Sequence, residues 1–208
     1  MRTSTGFGGA VAVVLAIVCS FGTFALAQDT KKPDAPGAGA GAPDQAAEME
    51  MWQKYATPGK EHQMLKDQFA GNWDVQVKHL MGPGETTTGT AKYDVVMDGR
   101  YLSGTFDGKA MGQPFKGMSL TGYDNATKKF FNTWVDTMGT GLLVTQGTYD
   151  PSTKTYTFSG DMTMPNGQTT KVREVVKVES NDKHVFEMYM TGPQGEMKAM
   201  EITYTRKK

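Results

Sequence analysis

The stretch that decides the fold is residues 122–136, which read GYDNATKKFFNTWVD. It predicts the end of one strand, a tight polar turn and a second, aromatic strand. Asp124 and Asn125 occupy the turn, where side chains that bond their own backbone and tolerate a left-handed φ are favoured. The flanks are aromatic and β-branched, which suits pleated, half-buried strands. The sequence therefore predicts a β-hairpin in the middle of the chain.

A period of two extends from Trp73 almost to the end of the chain. It predicts ten strands, at residues 73–80, 87–97, 101–108, 115–124, 128–136, 142–150, 155–164, 171–180, 184–191 and 197–205. Short strands at regular spacing pair sequentially and antiparallel. A long meander avoids exposed edges by closing on itself. We therefore expect an all-β fold, a single antiparallel up-and-down β-barrel of about ten strands, with a two-sheet sandwich as the alternative.

One or two short helices are predicted before the barrel. Asp44 is a suitable N-cap for a helix that reaches about residue 55, and Pro58-Gly59 ends it. A second helix is predicted near 60–70, with Gly71 placed to end it. The organisation that follows is a short helix and linker at 44–61 and a β-barrel domain at 62–208.

The first 27 residues have the pattern of a cleaved secretion signal. Arg2 supplies the positive start, the apolar run at 10–18 is too short to cross a bilayer, and Ala25-Leu26-Ala27 offers a cleavage site. A retained membrane anchor is one alternative. Lipid attachment at Cys19 is another, disfavoured because Val18 is not small. The processed protein is expected to be periplasmic or secreted, without stable membrane insertion.

Residues 28–43 are rich in Ala, Gly and Pro and have no apolar period, so we expect a disordered tether there. Without Arg2 the chain has 21 basic and 22 acidic residues and no basic stripe, which argues against a nucleic-acid partner. Cys19 is the only cysteine, so no disulfide is expected after processing. No enzyme motif occurs, and no catalytic residue, cofactor or metal site is therefore predicted. The sequence predicts no oligomeric state.

Alternation predicts which strand residues share a face. Four mixed faces result: Phe130, Asn132, Trp134 and Asp136; Val172, Glu174, Val176 and Val178; His184, Phe186, Met188 and Met190, opposite Glu187 and Tyr189; and Met200, Ile202 and Tyr204, opposite Glu201 and Thr203. Polar groups among apolar ones are typical of a lined ligand cavity. Surface or edge faces are mixed in the same way, and a shifted register would reverse each assignment.

Several motifs carry a family resemblance. They are the pattern H-x2-L-x5-G-x-W from His62 to Trp73, Gly112-Gln113-Pro114-Phe115-x-Gly117, the stretch from Gly122 to Asp136, Gly139-x-Gly141, Gly147-x-Tyr149 and the ending Glu201-Ile202-Thr203-Tyr204-Thr205-Arg206-Lys207. Over about residues 58–208 the chain resembles the bacterial domain-of-unknown-function family numbered 1579, which looks like a relative of calycin barrels. Gly71-x-Trp73 is similar to the lipocalin G-x-W, whose tryptophan closes the barrel floor under a short helix. The resemblance implies a fold and a tendency to bind ligands, but no reaction.

The first functional hypothesis is a binding protein for a small, partly apolar molecule held in the barrel. Its candidate wall residues are Tyr123, Trp134, Asp136, Met188, Glu201 and Tyr204, each of which fits ordinary barrel core as well. Trp73 is assigned to packing on the barrel floor.

Three alternatives remain open. One is haem binding through His184, which is predicted to share a face with Phe186. Another is Cu(I) binding by methionine thioethers, as in Met188-x-Met190 and Met197-x2-Met200, because thioether sulfur is a soft ligand. Methionine also fills irregular cores, and the pairs are scattered along the chain. The last is a structural or interaction protein that holds no ligand.

Overall fold

Two short helices precede ten antiparallel strands in the computed structural model, which describes residues 44–82 and 84–208. The predicted secretion signal at 1–27 and the predicted tether at 28–43 lie outside the described residues. The elements are α1 (Gln45–Ala56), α2 (Lys60–Phe69), β1 (Gly71–His79), β2 (Glu85–Val96), β3 (Tyr101–Ala110), β4 (Gln113–Asp124), β5 (Lys129–Asp136), β6 (Leu143–Asp150), β7 (Thr155–Thr163), β8 (Thr169–Ser180), β9 (Lys183–Gly192) and β10 (Gly195–Arg206).

The sheet closes on itself. Each strand pairs with the one before it and the one after it, and β10 completes the circle by pairing with β1 from Trp73↔Arg206 to His79↔Met200. Closure satisfies the backbone groups that an open sheet would leave at its edges. The predicted single up-and-down barrel is confirmed, and the two-sheet alternative is wrong.

Helix α2 covers one end of the barrel, which we call the closed end. Leu65 and Phe69 are buried there and pack with Leu102, Phe130 and Tyr156 from the strands. The helix begins after Gly59, whose backbone N–H donates to Nδ1 of His62 over 3.0 Å. In the described part of the chain no helix lies over the opposite end, which we call the mouth.

Helix α1 differs from α2 in that none of its residues is buried. Met49, Met51, Trp52 and Tyr55 are exposed along it. Its carboxyl end is held by Asn125, whose Nδ2 donates to the backbone oxygens of Tyr55 and Thr57, both at 2.9 Å. Within residues 44–82 and 84–208 no helix has the length and apolarity needed to cross a bilayer.

The β4–β5 hairpin forms where the sequence predicts it, with one difference in the turn. Asp124 bonds its own turn, since its carboxylate accepts from the Ala126 N–H at 2.8 Å and the Thr127 hydroxyl at 2.9 Å. The left-handed residue is Lys128, with a φ of 57°, and not Asn125. Asn125 turns outward and clamps α1 instead, which explains a polar residue at that position.

Candidate functional site

The strand register determines which side chains face the inside of the barrel. Trp73, Val75 and Val77 are buried on one face of β1. Tyr204 and Ile202 are the β10 partners of Val75 and Val77, so they share that face. Following the pairings around the barrel brings the four predicted mixed faces to the inside; their members are Phe130, Asn132, Trp134, Asp136, Val172, Glu174, Val176, Val178, His184, Phe186, Met188, Met190, Met200, Ile202 and Tyr204.

Trp73 lies at the closed end with 0% of its surface exposed. Its indole N–H donates to the Phe69 carbonyl oxygen at 2.8 Å, which ties β1 to the end of α2. The Arg206 guanidinium lies over the ring, 4.2 Å from its centroid. Arg206 also donates to the carbonyl oxygens of Gln68 at 3.0 Å and Ala70 at 2.6 Å. This floor joins α2, β1 and β10.

His184 lies beside Trp73 on the floor and is 3% exposed. Its ring centroid is 5.0 Å from Phe69, 4.5 Å from Trp73 and 4.3 Å from Tyr204. Nδ1 has no hydrogen-bond partner, and burial, with a smaller effect of Arg206, lowers the pKa of the imidazole to about 3. A haem iron binds a ring nitrogen, and the buried imidazole leaves no room for a haem beside it. The packing disfavours the haem alternative.

Halfway along the barrel, polar side chains from four strands form a connected group. The Thr145 hydroxyl donates to Oε2 of Glu174 at 2.9 Å, and the Asn132 side chain lies beside that carboxyl group. The Thr121 hydroxyl donates to Oδ1 of Asn132 at 2.9 Å. Glu174 is 3% exposed, and burial raises its pKa although Thr145 and Asn132 favour the ionised form. We call Thr121, Asn132, Thr145 and Glu174 the polar belt.

Tyr204 extends this polar region toward β2. It is buried, and burial raises the pKa of its phenol, with further contributions from Tyr93 and Glu174 beside it. Tyr93 lies on β2, which like β10 pairs with β1, and its ring centroid is 6.4 Å from that of Tyr204; burial raises its pKa as well. Both phenols are therefore neutral donors and acceptors inside the barrel.

At the mouth, Trp134 and Asp136 are joined by a hydrogen bond. The indole N–H donates to Oδ2 of Asp136 at 2.7 Å, and Oδ1 of the same carboxylate accepts from the Met138 N–H at 2.8 Å. The Trp134 ring stacks on Phe115, with centroids 6.4 Å apart and planes at 21°. The ring occupies the space where a side chain at Gly117 would lie, so this glycine leaves room for it. Asp136, Phe115 and the backbone at Gly117 together fix the orientation of the indole.

Many inward-facing side chains above the floor are only partly buried. They include Tyr93, Phe115, Thr121, Asn132, Trp134, Phe186, Met188 and Met200. In a filled core such residues would be inaccessible. Five of them, Tyr93, Phe115, Trp134, Phe186 and Met200, pack against the buried cluster around Trp73, Ile202 and Tyr204. The inner wall between the floor and the mouth is therefore mostly apolar and only partly buried.

Two of the six predicted wall residues do not line this space. Glu201 lies on the outside, where its carboxylate binds Lys78 and Lys198, each at 2.9 Å, and these bonds lower its pKa to about 2. Alternation along β10 already puts Glu201 opposite Tyr204, so including it as a wall residue was wrong. Tyr123 faces inward at the closed end, where its ring packs against Phe130 and His62.

Four methionines meet on β9 and β10, a grouping that the sequence does not reveal. Met200 pairs with Met188 and Met197 with Met190, all facing inward near the mouth. Strict alternation would put Met197 and Met200 on opposite faces, but a β-bulge between Lys198 and Met200 puts both on the inside. Among the described residues no three His, Cys, Asp or Glu side chains come together as metal ligands.

Two clefts on the outer surface are weaker candidates. One of about 410 Å³ is lined by charges that pair with each other, Lys171 with Asp161 and Arg173 with Glu196. The other, of about 670 Å³, has Lys92, Lys116 and Lys207 at its edge, each in an ion pair with an aspartate. Most of these charges are already paired, Lys208 being the lysine of the second cleft that has no ion pair within the described part of the chain, so both clefts are weaker candidates than the barrel interior.

Comparisons with known proteins place the chain in a family without an assigned activity. The family model described as protein of unknown function (DUF1579) matches residues 57–206. No curated protein matches the chain. Among solved structures, a redesigned β-barrel is 17% identical with a TM-score of 0.36, covering 74% of this chain and 100% of its own. The S-type phycobiliprotein lyase from Guillardia theta is 10% identical with a TM-score of 0.47, covering 73% and 99%.

Proposed function

This chain belongs to the DUF1579 family of proteins of unknown function, and from that premise we propose that it is a binding protein which holds a small, partly apolar molecule inside its barrel. The observation that carries the proposal is the set of inward-facing side chains that remain accessible, such as Asn132, Trp134, Phe186 and Met188. Apolar walls with a few fixed polar groups are typical of small-molecule sites.

The strand number supports this proposal. An eight-stranded barrel is just wide enough for its side chains to fill, or for one small ligand, and the diameter grows with the number of strands. With ten strands the interior is wider, while the floor is closed by α2, Trp73 and His184. A ligand would enter at the mouth beside Trp134 and come to rest against the polar belt. The secretion signal predicted at 1–27 supports a further proposal, that binding takes place outside the cytoplasm.

The test uses N-phenyl-1-naphthylamine, an uncharged fluorophore whose emission rises in apolar surroundings. We expect saturable binding, with energy transfer from tryptophan. Trp134→Ala should weaken binding about fivefold or more, because burying an aromatic face contributes on the order of 1–3 kcal/mol. Trp52→Ala is the matched control, since Trp52 lies exposed on α1, and it should leave the affinity unchanged.

Two results would contradict the proposal. One is the absence of saturable binding by the folded protein. The other is an equal loss of affinity in the Trp52 and Trp134 variants, which would place the fluorophore on the surface rather than in the barrel. Circular dichroism of each variant checks that the barrel is intact.

Cu(I) binding is a second candidate, favoured by the inward cluster of Met188, Met190, Met197 and Met200. Thioether sulfur suits this ion. Anaerobic competition with bicinchoninate tests it: the protein should withdraw Cu(I) from the chelator, and the double variant Met188→Leu/Met200→Leu should not. Equal competition by the variant, or none by the wild type, would exclude the cluster as a copper site.

A further inference from the structure

Building on the proposed function, we infer that the barrel selects an uncharged amphiphile and rejects anionic ones such as fatty acids. In this arrangement the polar group of the ligand hydrogen-bonds with Asn132 and Thr121, and its apolar body lies between Trp134 and the side chains of Phe186, Met188 and Met200. The inference rests on the charges that face the interior, on the geometry of the polar belt and on the position of the apolar walls.

The charges facing the interior are almost all acidic. Register places Glu174 at mid-height and Asp136 and Glu85 at the mouth. Among the ten described strands, Arg206 is the one inward-facing arginine or lysine. Its guanidinium is held on the floor by backbone oxygens and covers Trp73. Below His79, which the register puts on the inside at the mouth, an entering carboxylate or sulfonate would lose its hydration without gaining a cationic partner, which is costly.

Two of these three acids, Asp136 and Glu174, are already engaged and do not offer a cation a free partner. The Asp136 carboxylate already accepts hydrogen bonds from Trp134 and from the Met138 backbone. Glu174 lies below the accessible surface, behind Asn132 and Thr145. The accessible polar groups at mid-height are therefore uncharged.

The polar belt has a buried end and an accessible end. Glu174 and Thr145 are buried, whereas Asn132 and Thr121 are partly exposed. Asn132 is held by Thr121, whose hydroxyl donates to its oxygen, and it lies beside Glu174. The amide N–H groups of Asn132 and the free lone pairs of the Asn132 and Thr121 oxygens are the groups that a ligand can bind. A hydroxyl, carbonyl or amine is therefore the kind of group that Asn132 and Thr121 recognise.

The apolar body of the ligand has a defined place. Met188 and Met200 are cross-strand partners, and Phe186 lies two residues from Met188 on the same face. Trp134 and Phe115 are stacked at the mouth. Methionine adapts its shape to different ligands, while the fixed indole supplies a flat surface.

The first experiment compares two fluorophores with the same skeleton. N-phenyl-1-naphthylamine is uncharged, and 1-anilinonaphthalene-8-sulfonate adds one sulfonate. We expect the uncharged probe to bind at least ten times more tightly. Equal affinity, or tighter binding of the sulfonate, would overturn the inference while leaving the proposed function standing. If neither probe binds, the proposed function itself fails.

The second experiment places a cation in the barrel. Met200→Lys adds an ammonium group to the inside of β10, and Thr203→Lys adds one to the outside of the same strand. The inner lysine should strengthen sulfonate binding at least fivefold, and the outer lysine should leave it unchanged. An equal gain in both variants would show that the sulfonate is attracted to the surface and would contradict the inference.

A third pair of variants tests the hydrogen bond and does not depend on the lysine variants folding. Asn132→Leu keeps the size of the side chain and removes its polar groups, so the affinity for N-phenyl-1-naphthylamine should fall about threefold to tenfold. Gln146→Leu makes the corresponding change on the outside of β6, where the side chain is exposed. Unchanged affinity in the Asn132 variant would remove the polar belt from recognition.

Discussion

At the scale of single residues, burial affects two of the titratable groups inside the barrel, His184 and Glu174, in opposite directions. His184 has a lowered pKa because its protonated form would be charged on the floor. Glu174 has a raised pKa because its ionised form would be charged in the polar belt. Burial disfavours the charged form of each, so the two side chains give stability opposite dependences on pH.

His184→Phe should make the protein less sensitive to acid. The unfolded histidine takes up a proton near pH 6.5, whereas the folded one does so only near pH 3, so unfolding becomes easier as the pH falls between these values. Protonation of this residue lowers the free energy of unfolding by at most about 1.4 kcal/mol per pH unit. Phenylalanine keeps the aromatic packing and removes the unpartnered nitrogen. Urea unfolding at pH 7, 5 and 4 should show that the free energy of unfolding of the variant, relative to that of the wild type, increases at each lower pH. If the two proteins lose stability equally as the pH falls, the account is contradicted.

Glu174→Gln should have the reverse effect. Because the folded pKa is raised above 4.5, the folded protein holds the proton more tightly than the unfolded chain, and stability falls as the pH rises through this window. Glutamine is never ionised, and its carbonyl oxygen still accepts from Thr145. The variant should match the wild type at pH 4 and have a higher free energy of unfolding at pH 8, measured by urea unfolding. A variant less stable than the wild type at pH 8 would show that the ionised carboxylate stabilises the belt.

Sequence alternation is informative about which face a residue occupies and uninformative about depth along the barrel. It brings Trp134, Asp136 and Tyr204 to the inside, as the register has them. It offers no signal that Tyr123 lies at the end covered by α2, because that depends on where the helix packs. The hydrogen bond from Trp134 to Asp136 joins residues two apart on one face, so the spacing alone permits it.

At the scale of elements, all ten strands form close to the predicted positions because period-two alternation and turn residues agree along the chain. The β-bulge in β10 is the element that alternation misses. It arises between Lys198 and Met200, without a glycine or proline there to signal it. Its effect is to bring Met197 to the inside of the barrel beside Met190, which assembles a methionine cluster from residues that look scattered in sequence.

The two helices should differ in their contribution to stability. Leu65 on α2 is buried against the strands, so Leu65→Ala should lower the free energy of unfolding by about 2–5 kcal/mol through lost burial and a cavity. Met51→Ala on α1 is the control, and its cost should stay within about 0.5 kcal/mol because Met51 is exposed. Thermal and urea unfolding measure both. Equal losses would mean that α1 is packed as firmly as α2.

At the scale of the whole molecule, the barrel is closed at one end by α2. Pairing of β1 with β10 closes the sheet, and Arg206 at the end of β10 donates to the backbone oxygens of Gln68 in the last turn of α2 and of Ala70 after it. The tryptophan of the floor and the tryptophan of the mouth lie on different strands, β1 and β5. Between them Thr121 and Asn132 of the polar belt and the methionines Met188 and Met200 remain only partly buried, and this arrangement is the basis of the proposed binding role.

The measurement that tests this claim most directly is a methyl NMR titration of protein labelled with 13C at its methionine methyl groups, using N-phenyl-1-naphthylamine. Met188 and Met200 face the interior, whereas Met118 lies on the outside of β4 and Met97 is exposed in the turn between β2 and β3. Ring currents from a ligand in the barrel should shift the signals of Met188 and Met200 and leave those of Met118 and Met97 unchanged. Shifts confined to Met118 or Met97, or no saturable shift at Met188 and Met200, would contradict binding inside the barrel.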